Sequence, residues 1–203
     1  MKQLLCLGDS ITDCNRSFSS CPLGNGYVHI LAEQLGKNWE VVNRGVDGFT
    51  VQRVYEQTER EFGRFHPDII TILVGINDVC MMETTNRLPH QKKEMTEQFE
   101  TVYRKLIRFL KRYAPEHIIL MEPFLFPEPA EYLNWYPQVK ELSLRIRKLA
   151  EEYSLHYLSL WEPLLKFAKE TGTSQVTIDG IHLTSKGHQF LAQQVLDCLD
   201  QIK

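Results

Sequence analysis

Leu4-Leu5-Cys6-Leu7-Gly8-Asp9-Ser10 is a short unbroken apolar run that ends at a glycine, followed by an acidic and a hydroxyl side chain. A run of this length without alternation suits a strand buried on both faces. Val41-Val42, residues 69–74 and residues 118–121 repeat it. Residues 155–158, interrupted by His156 and Tyr157, give a weaker fifth run that suits a sheet edge. Between the runs, apolar residues recur every three or four positions, the spacing of a helix with one face on a sheet. Met95, Phe99, Val102, Leu106, Phe109 and Tyr113 form one such face; Val139, Leu142, Ile146, Leu149 and Tyr153 form another. Leu191, Val195, Leu199 and Ile202 form a third, with Ser185 as the expected N-cap. Shorter helices are expected over 27–35 and over 51–62, the latter opened by Thr50. Strand and helix alternate five times, so the expected fold class is α/β: a five-stranded parallel sheet with helices on both faces, because parallel neighbours need crossovers. Residues 76–90 and 122–137 are expected to be irregular, and both follow a strand. That places them at the carboxyl edge of the sheet, where open α/β sheets bind ligands.

The chain of 203 residues shows no repeat or linker and is read as a single domain, 1–203. With 43% hydrophobic residues it can build a core. A net charge of -3 with both signs interspersed excludes nucleic acid as the main partner, since phosphate binding needs a concentrated basic surface. No apolar run approaches the roughly 18 residues that span a bilayer, so no membrane partner is expected. Residues 1–8, with one Lys and a short apolar stretch, are not read as a secretory signal. The five cysteines are scattered, without CxxC spacing or a Cys/His cluster, so the expectation is a reduced, cytoplasmic protein with no metal site. Homo-oligomerisation is left open.

Ser10 stands at the tip of the first strand, in the ligand crevice, although a lone Asp-Ser taken by itself reads more readily as a turn or a helix cap. A phosphate loop fits poorly, because the stretch has only one glycine. The third strand ends in Gly75-Ile76-Asn77-Asp78, which brings a carboxamide donor to the same edge. The second ends in Asn43-Arg44-Gly45, followed by Val46-Asp47-Gly48, and a glycine there lets a backbone N–H approach a ligand. Near the end comes Thr177-Ile178-Asp179-Gly180-Ile181-His182-Leu183-Thr184. Of the seven histidines, His182 alone has an Asp three residues before it in a glycine-containing loop, and His188 reads as structural. Together these give a nucleophile (Ser10), a base (His182) with its orienter (Asp179), and three oxyanion donors: the Ser10 and Gly45 N–H groups and the Asn77 side chain. Acyl transfer requires that set, since a weak hydroxyl must lose its proton as it attacks and the oxyanion must be held.

In these four blocks the sequence resembles the SGNH (GDSL-type) hydrolase family. Gly8-Asp9-Ser10 matches the first block, Gly45 the second, Gly75-Ile76-Asn77-Asp78 the third and Asp179-Gly180-Ile181-His182 the last. The resemblance implies a flavodoxin-like three-layer sandwich, a Ser-His-Asp triad and no cofactor or metal. Gly8 to Cys14, Leu23 to Val28 and Gly75 to Val79 are similar to bacterial acetylxylan esterases and related carbohydrate deacetylases. That branch carries Trp before the last Asp, where this chain has Ile178. The implied substrate is a small-molecule ester, an acetylated saccharide, cleaved through an acyl-enzyme. Asp9, Phe124 and Trp135 are candidate substrate-binding residues, the last two from an aromatic, proline-rich segment whose rings suit a sugar face or, equally, pack the loop down. The alternatives are a lysophospholipase or thioesterase of the same family, and a non-catalytic sugar- or acyl-binding module.

Overall fold

The computed structural model describes residues 1–202. Five parallel strands, β1 (Lys2–Gly8), β2 (Trp39–Gly45), β3 (Ile69–Leu73), β4 (His117–Met121) and β5 (His156–Leu158), lie in the order β2-β1-β3-β4-β5. The apolar runs are the strands, and the interrupted fifth run is the short edge strand β5. Leu4, Leu5 and Cys6 of β1 and Ile70 and Ile72 of β3 are fully buried, as central strands covered on both faces must be.

The helices are α1 (Ser10–Asp13), α2 (Tyr27–Leu35), α3 (Val51–Glu61), α4 (Ile76–Thr84), α5 (Pro89–Lys111), α6 (Tyr136–Tyr153), α7 (Trp161–Thr171) and α8 (Ser185–Gln201). Helix α2 packs on α8 and α8 on α7, while α3 packs on α5 and α5 on α6, giving the two outer layers of a sandwich. Chain order runs outward from β1 in one direction and from β3 in the other. The seam between them is therefore the topological switch point, the crevice where open sheets take ligands. In the register Gly8 pairs with Leu73, so the segments after β1 and β3 leave the sheet side by side.

Three local readings need correction. Residues 76–84 are helical, not irregular: Gly75, at φ 138°, turns the chain and α4 begins directly after it. Helix α7 has no counterpart in the apolar periodicity as read, although Pro163 fits it, standing in the first turn where an N–H needs no helical acceptor. The N-cap of α8 is Thr184, whose hydroxyl accepts from Gly187 N at 3.2 Å, and Ser185 is the first helical residue.

This cap generates a simple test. Thr184→Ala is expected to lower stability by about 0.5–2 kcal/mol, the usual cost of losing a cap, and Ser185→Ala to leave it nearly unchanged. Urea midpoints for the two variants check this, and the reverse order would contradict the cap assignment.

Candidate active site

At the end of β1 the chain turns directly into α1. The Asp9 carboxylate accepts Ile11 N–H at 3.1 Å and caps the helix. Ser10, its first residue, has an N–H without an intrahelical acceptor. Asp9 is only 1% exposed, and burial pushes its carboxyl up to about 7. It supports the turn from beneath, so its expected contact with substrate is corrected.

The loop between α7 and α8 is pinched by an antiparallel bridge of Thr177 with Leu183. Ile178 N donates to His182 O at 2.9 Å, and the Thr177 hydroxyl donates to the same oxygen at 2.8 Å. Inside this loop Asp179 Oδ1 accepts Ile181 N (2.9 Å) and His182 N (2.7 Å), and Oδ2 meets His182 Nδ1 at 2.6 Å. Burial works upward on the Asp179 carboxyl. Hydrogen bonds from the His182 ring and from the two backbone N–H groups outweigh it and hold the group below its ordinary 3.8. A carboxylate only accepts, so Nδ1 carries the proton, and in the neutral imidazole Nε2 is the nitrogen with the lone pair. That Nε2 lies 3.0 Å from Ser10 Oγ. Residues 172 positions apart thus form one continuous hydrogen-bonded chain, carboxylate to imidazole to hydroxyl. Such a chain can take the hydroxyl proton while the oxygen attacks an electrophilic carbon.

The donors around Ser10 differ in part from expectation. Gly45 N–H is engaged, donating to Asn43 Oδ1 at 2.9 Å, and Gly45 O accepts the Arg16 guanidinium at 2.9 Å. Gly45 is needed for packing: a Cβ there would lie 2.3 Å from Asp13 N, so only glycine lets β2 end against α1. Its expected place among the oxyanion donors is corrected. Three residues on, Gly48 sits in a turn closed by Phe49 N to Val46 O at 3.2 Å. Its φ of 73° suits glycine, and no acceptor takes its N–H among the described residues. Asp47-Gly48 is a turn dipeptide, the signal that could have directed attention to this residue rather than Gly45. Asn77, on the first turn of α4, donates one Nδ2 hydrogen to Phe49 O at 3.0 Å and keeps the other unengaged, so it reaches the same turn.

The aromatic segment after β4 packs against the loop that carries Asp179 and His182, with Phe126 N donating to Gly180 O at 2.9 Å, but its two candidate rings are buried. Phe124 is fully buried, edge-on to Phe126, and Trp135 is buried against Tyr132 with ring centroids 4.5 Å apart. Both are corrected from substrate candidates to loop packing, because neither presents a ring face to solvent. A cavity of about 240 Å³ beside Ser10 and His182 is lined instead by Cys14, Phe18, Ile178 and Leu183, among others. Phe18 is 85% and Ile178 73% exposed, the apolar lips of that cavity. His188 borders it too, but accepts Tyr27 N–H on Nδ1 and meets Cys14 Sγ with Nε2 at 3.3 Å. Burial holds His188 down to about 4, a neutral structural histidine as expected.

Residues 6–190 match the GDSL-like lipase/acylhydrolase family. An acetylxylan esterase of Geobacillus stearothermophilus is 29% identical, over 96% of this chain and 92% of that protein. Crystal structures of catalytic mutants of that esterase, with an aspartate or a serine changed to alanine, give TM-scores of 0.81 and 0.79 at 25% and 27% identity. Both cover 97% of this chain and 93% of theirs. A Parabacteroides merdae protein described as a GDSL-like lipase gives a TM-score of 0.87 at 30% identity, over 100% of this chain and 96% of its own. An isoamyl acetate-hydrolyzing esterase 1 homolog of Bos taurus is 24% identical over 93% of this chain and 78% of that protein.

The buried Asp9 makes stability depend on pH. Its carboxyl lies near 3.8 when unfolded and about 7 when folded, so across that window the unfolded chain releases a proton that the folded chain keeps. Stability therefore falls as pH rises through it. Asp9→Asn keeps an acceptor for Ile11 N–H and cannot ionise. In urea titrations at about pH 4.5 and about pH 8 the variant is expected to lose less stability than the parent, and equal losses would contradict the assignment.

Proposed function

Because the chain belongs to the GDSL-like lipase/acylhydrolase family, we propose that it is a single-domain serine esterase acting through an acyl-enzyme. The observation that carries this is the Asp179–His182–Ser10 chain, with links of 2.6 and 3.0 Å. Ser10 Oγ attacks the ester carbonyl carbon as its proton passes to His182 Nε2, and Asp179 stabilises the imidazolium. The carbonyl oxygen becomes an oxyanion received by the Ser10 and Gly48 N–H groups and the unengaged Asn77 hydrogen. Collapse breaks the bond to the alcohol, which leaves with the proton from His182. Water then adds to the acyl-Ser10 with His182 again as base, the carboxylic acid departs and Ser10 Oγ regains its proton. No step calls on a metal or cofactor.

Two features support a short acyl group: the modest cavity and the acetylxylan esterase relative. That relative also supports an acetylated saccharide as the alcohol side. A second reading is favoured by the exposed Phe18 and Ile178, which offer an apolar surface to a small alkyl alcohol, the type named in the isoamyl acetate-hydrolyzing relatives. Among the described residues no helix is long and apolar enough to cross a membrane.

Ser10→Ala and His182→Ala are each expected to lower kcat by several orders of magnitude with the fold intact, and Asp179→Asn by less. Asn77→Ala is expected to cost about 10²–10³ in kcat with little change in KM. Near-normal turnover by Ser10→Ala would overturn the mechanism. For the substrate, kcat/KM is compared on acetyl, butyryl and octanoyl aryl esters, then on acetylated xylo-oligosaccharides and isoamyl acetate. Acetyl is expected to lead the first series and the acetylated oligosaccharide the second. A lead for isoamyl acetate selects the second reading, and a tenfold lead for octanoyl, roughly 1.4 kcal/mol in transition-state binding, contradicts both.

A further inference from the structure

Asn77 and Asp78, consecutive on the first turn of α4, grip the same piece of backbone from outside. Asn77 Nδ2 donates to Phe49 O at 3.0 Å, while Asp78 Oδ2 accepts Val51 N–H at 3.1 Å and Oδ1 the same hydrogen at 3.4 Å. Those two backbone groups flank Thr50, which is the N-cap of α3 by position yet makes no capping bond with its own side chain. Asp78 therefore does the capping from another element, with its carboxylate at the positive end of α3. At the other end of the turn Val46 N donates to Gly8 O at 3.2 Å, tying it to the strand that delivers Ser10. The stretch from Val46 to Val51, with Gly48 at its tip, is thus held at one end by β1 and at the other by α4.

We propose that Asp78 is a positioning residue for the oxyanion site: its hold on Val51 N–H fixes the Gly48 turn relative to Asn77, so that both donors meet one oxygen. This rests on the reading of Gly48 and Asn77 as oxyanion donors. A hydrogen bond that serves only to stabilise α3 would change the folding midpoint and leave turnover alone. One that sets donor geometry changes kcat, because the donors matter most in the transition state, and leaves KM nearly constant. The carboxylate is not required as a charge for this task. Its surroundings oppose ionisation, since burial and the neighbouring Asp9 push the Asp78 carboxyl up to about 7. An oxygen acceptor at that point is what the turn needs.

The test measures kcat, KM and urea midpoints, with p-nitrophenyl acetate as substrate, for Asp78→Ala, Asp78→Asn, Val51→Pro, the double variant Asp78→Ala/Val51→Pro, and Asn77→Ala. Asp78→Ala is expected to lower kcat by about ten- to a hundredfold, the scale of a small misplacement of catalytic groups, with KM within about twofold. Asp78→Asn, whose carboxamide oxygen still accepts, restores most of that loss. Val51 is the first residue of α3, where a proline backbone is tolerated. Val51→Pro therefore removes the N–H, sets its ring against the Asp78 carboxylate in that hydrogen's place and exchanges a buried valine side chain, and it reproduces the loss should Asp78→Ala fail to fold. The double variant is no slower than the worse single, because both remove one interaction. If Asn77→Ala is impaired while Asp78→Ala and Val51→Pro turn over within about threefold of the parent, or if the double loses the product of the two singles, the proposal is overturned. If Asn77→Ala itself turns over normally, the oxyanion reading on which the proposal rests is overturned first.

Discussion

The parallel ladder between β1 and β3 is the constraint from which the site follows. With Gly8 opposite Leu73, the two chains leave the sheet at the same height. Because the connections from β1 and β3 run outward in opposite directions, a crevice is left at the seam between them. Into it β1 delivers Ser10, β3 delivers Asn77, and β2, on the far side of β1, delivers the Gly48 turn. The histidine comes from the other end of the chain, on a loop whose shape is fixed by its own bridge and by Phe126 N donating to Gly180 O at 2.9 Å. A half-buried hydroxyl and an imidazole are thereby held 3.0 Å apart by elements that share no local sequence.

Three aspartates at this edge have the same side chain and different states, and the difference is physical. Asp179 receives three hydrogen bonds, two from backbone and one from His182, and these overcome the cost of partial burial. Asp9 is more deeply buried and receives Ile11 N–H, so desolvation dominates and the carboxyl is pushed up. Asp78 faces Val51 N–H from one side and the influence of Asp9 from another, with the same outcome. Donor count and burial, rather than position in a motif, separate the carboxylate that can support an imidazolium from the two that organise backbone.

Much of this was legible from residue order. The unbroken apolar runs suit strands covered on both faces, which β1 and β3 are, although Val41 and Val42 on the edge strand β2 are only half-buried. The three-to-four spacing of residues such as Phe99, Val102 and Leu106 suits a helix on a sheet. The Asp179–His182 spacing is a local property of one tight loop, so it too could be read directly. What was not legible depended on which partner a group finds in space. The Asp47-Gly48 dipeptide marks a turn, but that Gly45 N–H is taken depends on the Asn43 carboxamide folding back onto it in space. Phe124 and Trp135 carry the same composition whether they face solvent or the core, and their burial is set by Phe126 and Tyr132. Residues 76–84 were read as irregular because Gly75 and Asn77 are common in turns, but here the glycine opens a helix instead of a loop.

The central claim is that Ser10 becomes covalently acylated. Mixing the protein with excess p-nitrophenyl acetate, quenching in acid within the first turnovers and measuring peptide masses tests it directly. The account predicts one added acetyl group, confined to the peptide that contains Ser10, and a larger trapped fraction in Asp179→Asn if deacylation slows more than acylation. Acetyl found only on other residues, or turnover at full rate with no acetyl on Ser10 at any quench time in the parent and in Asp179→Asn alike, would contradict it.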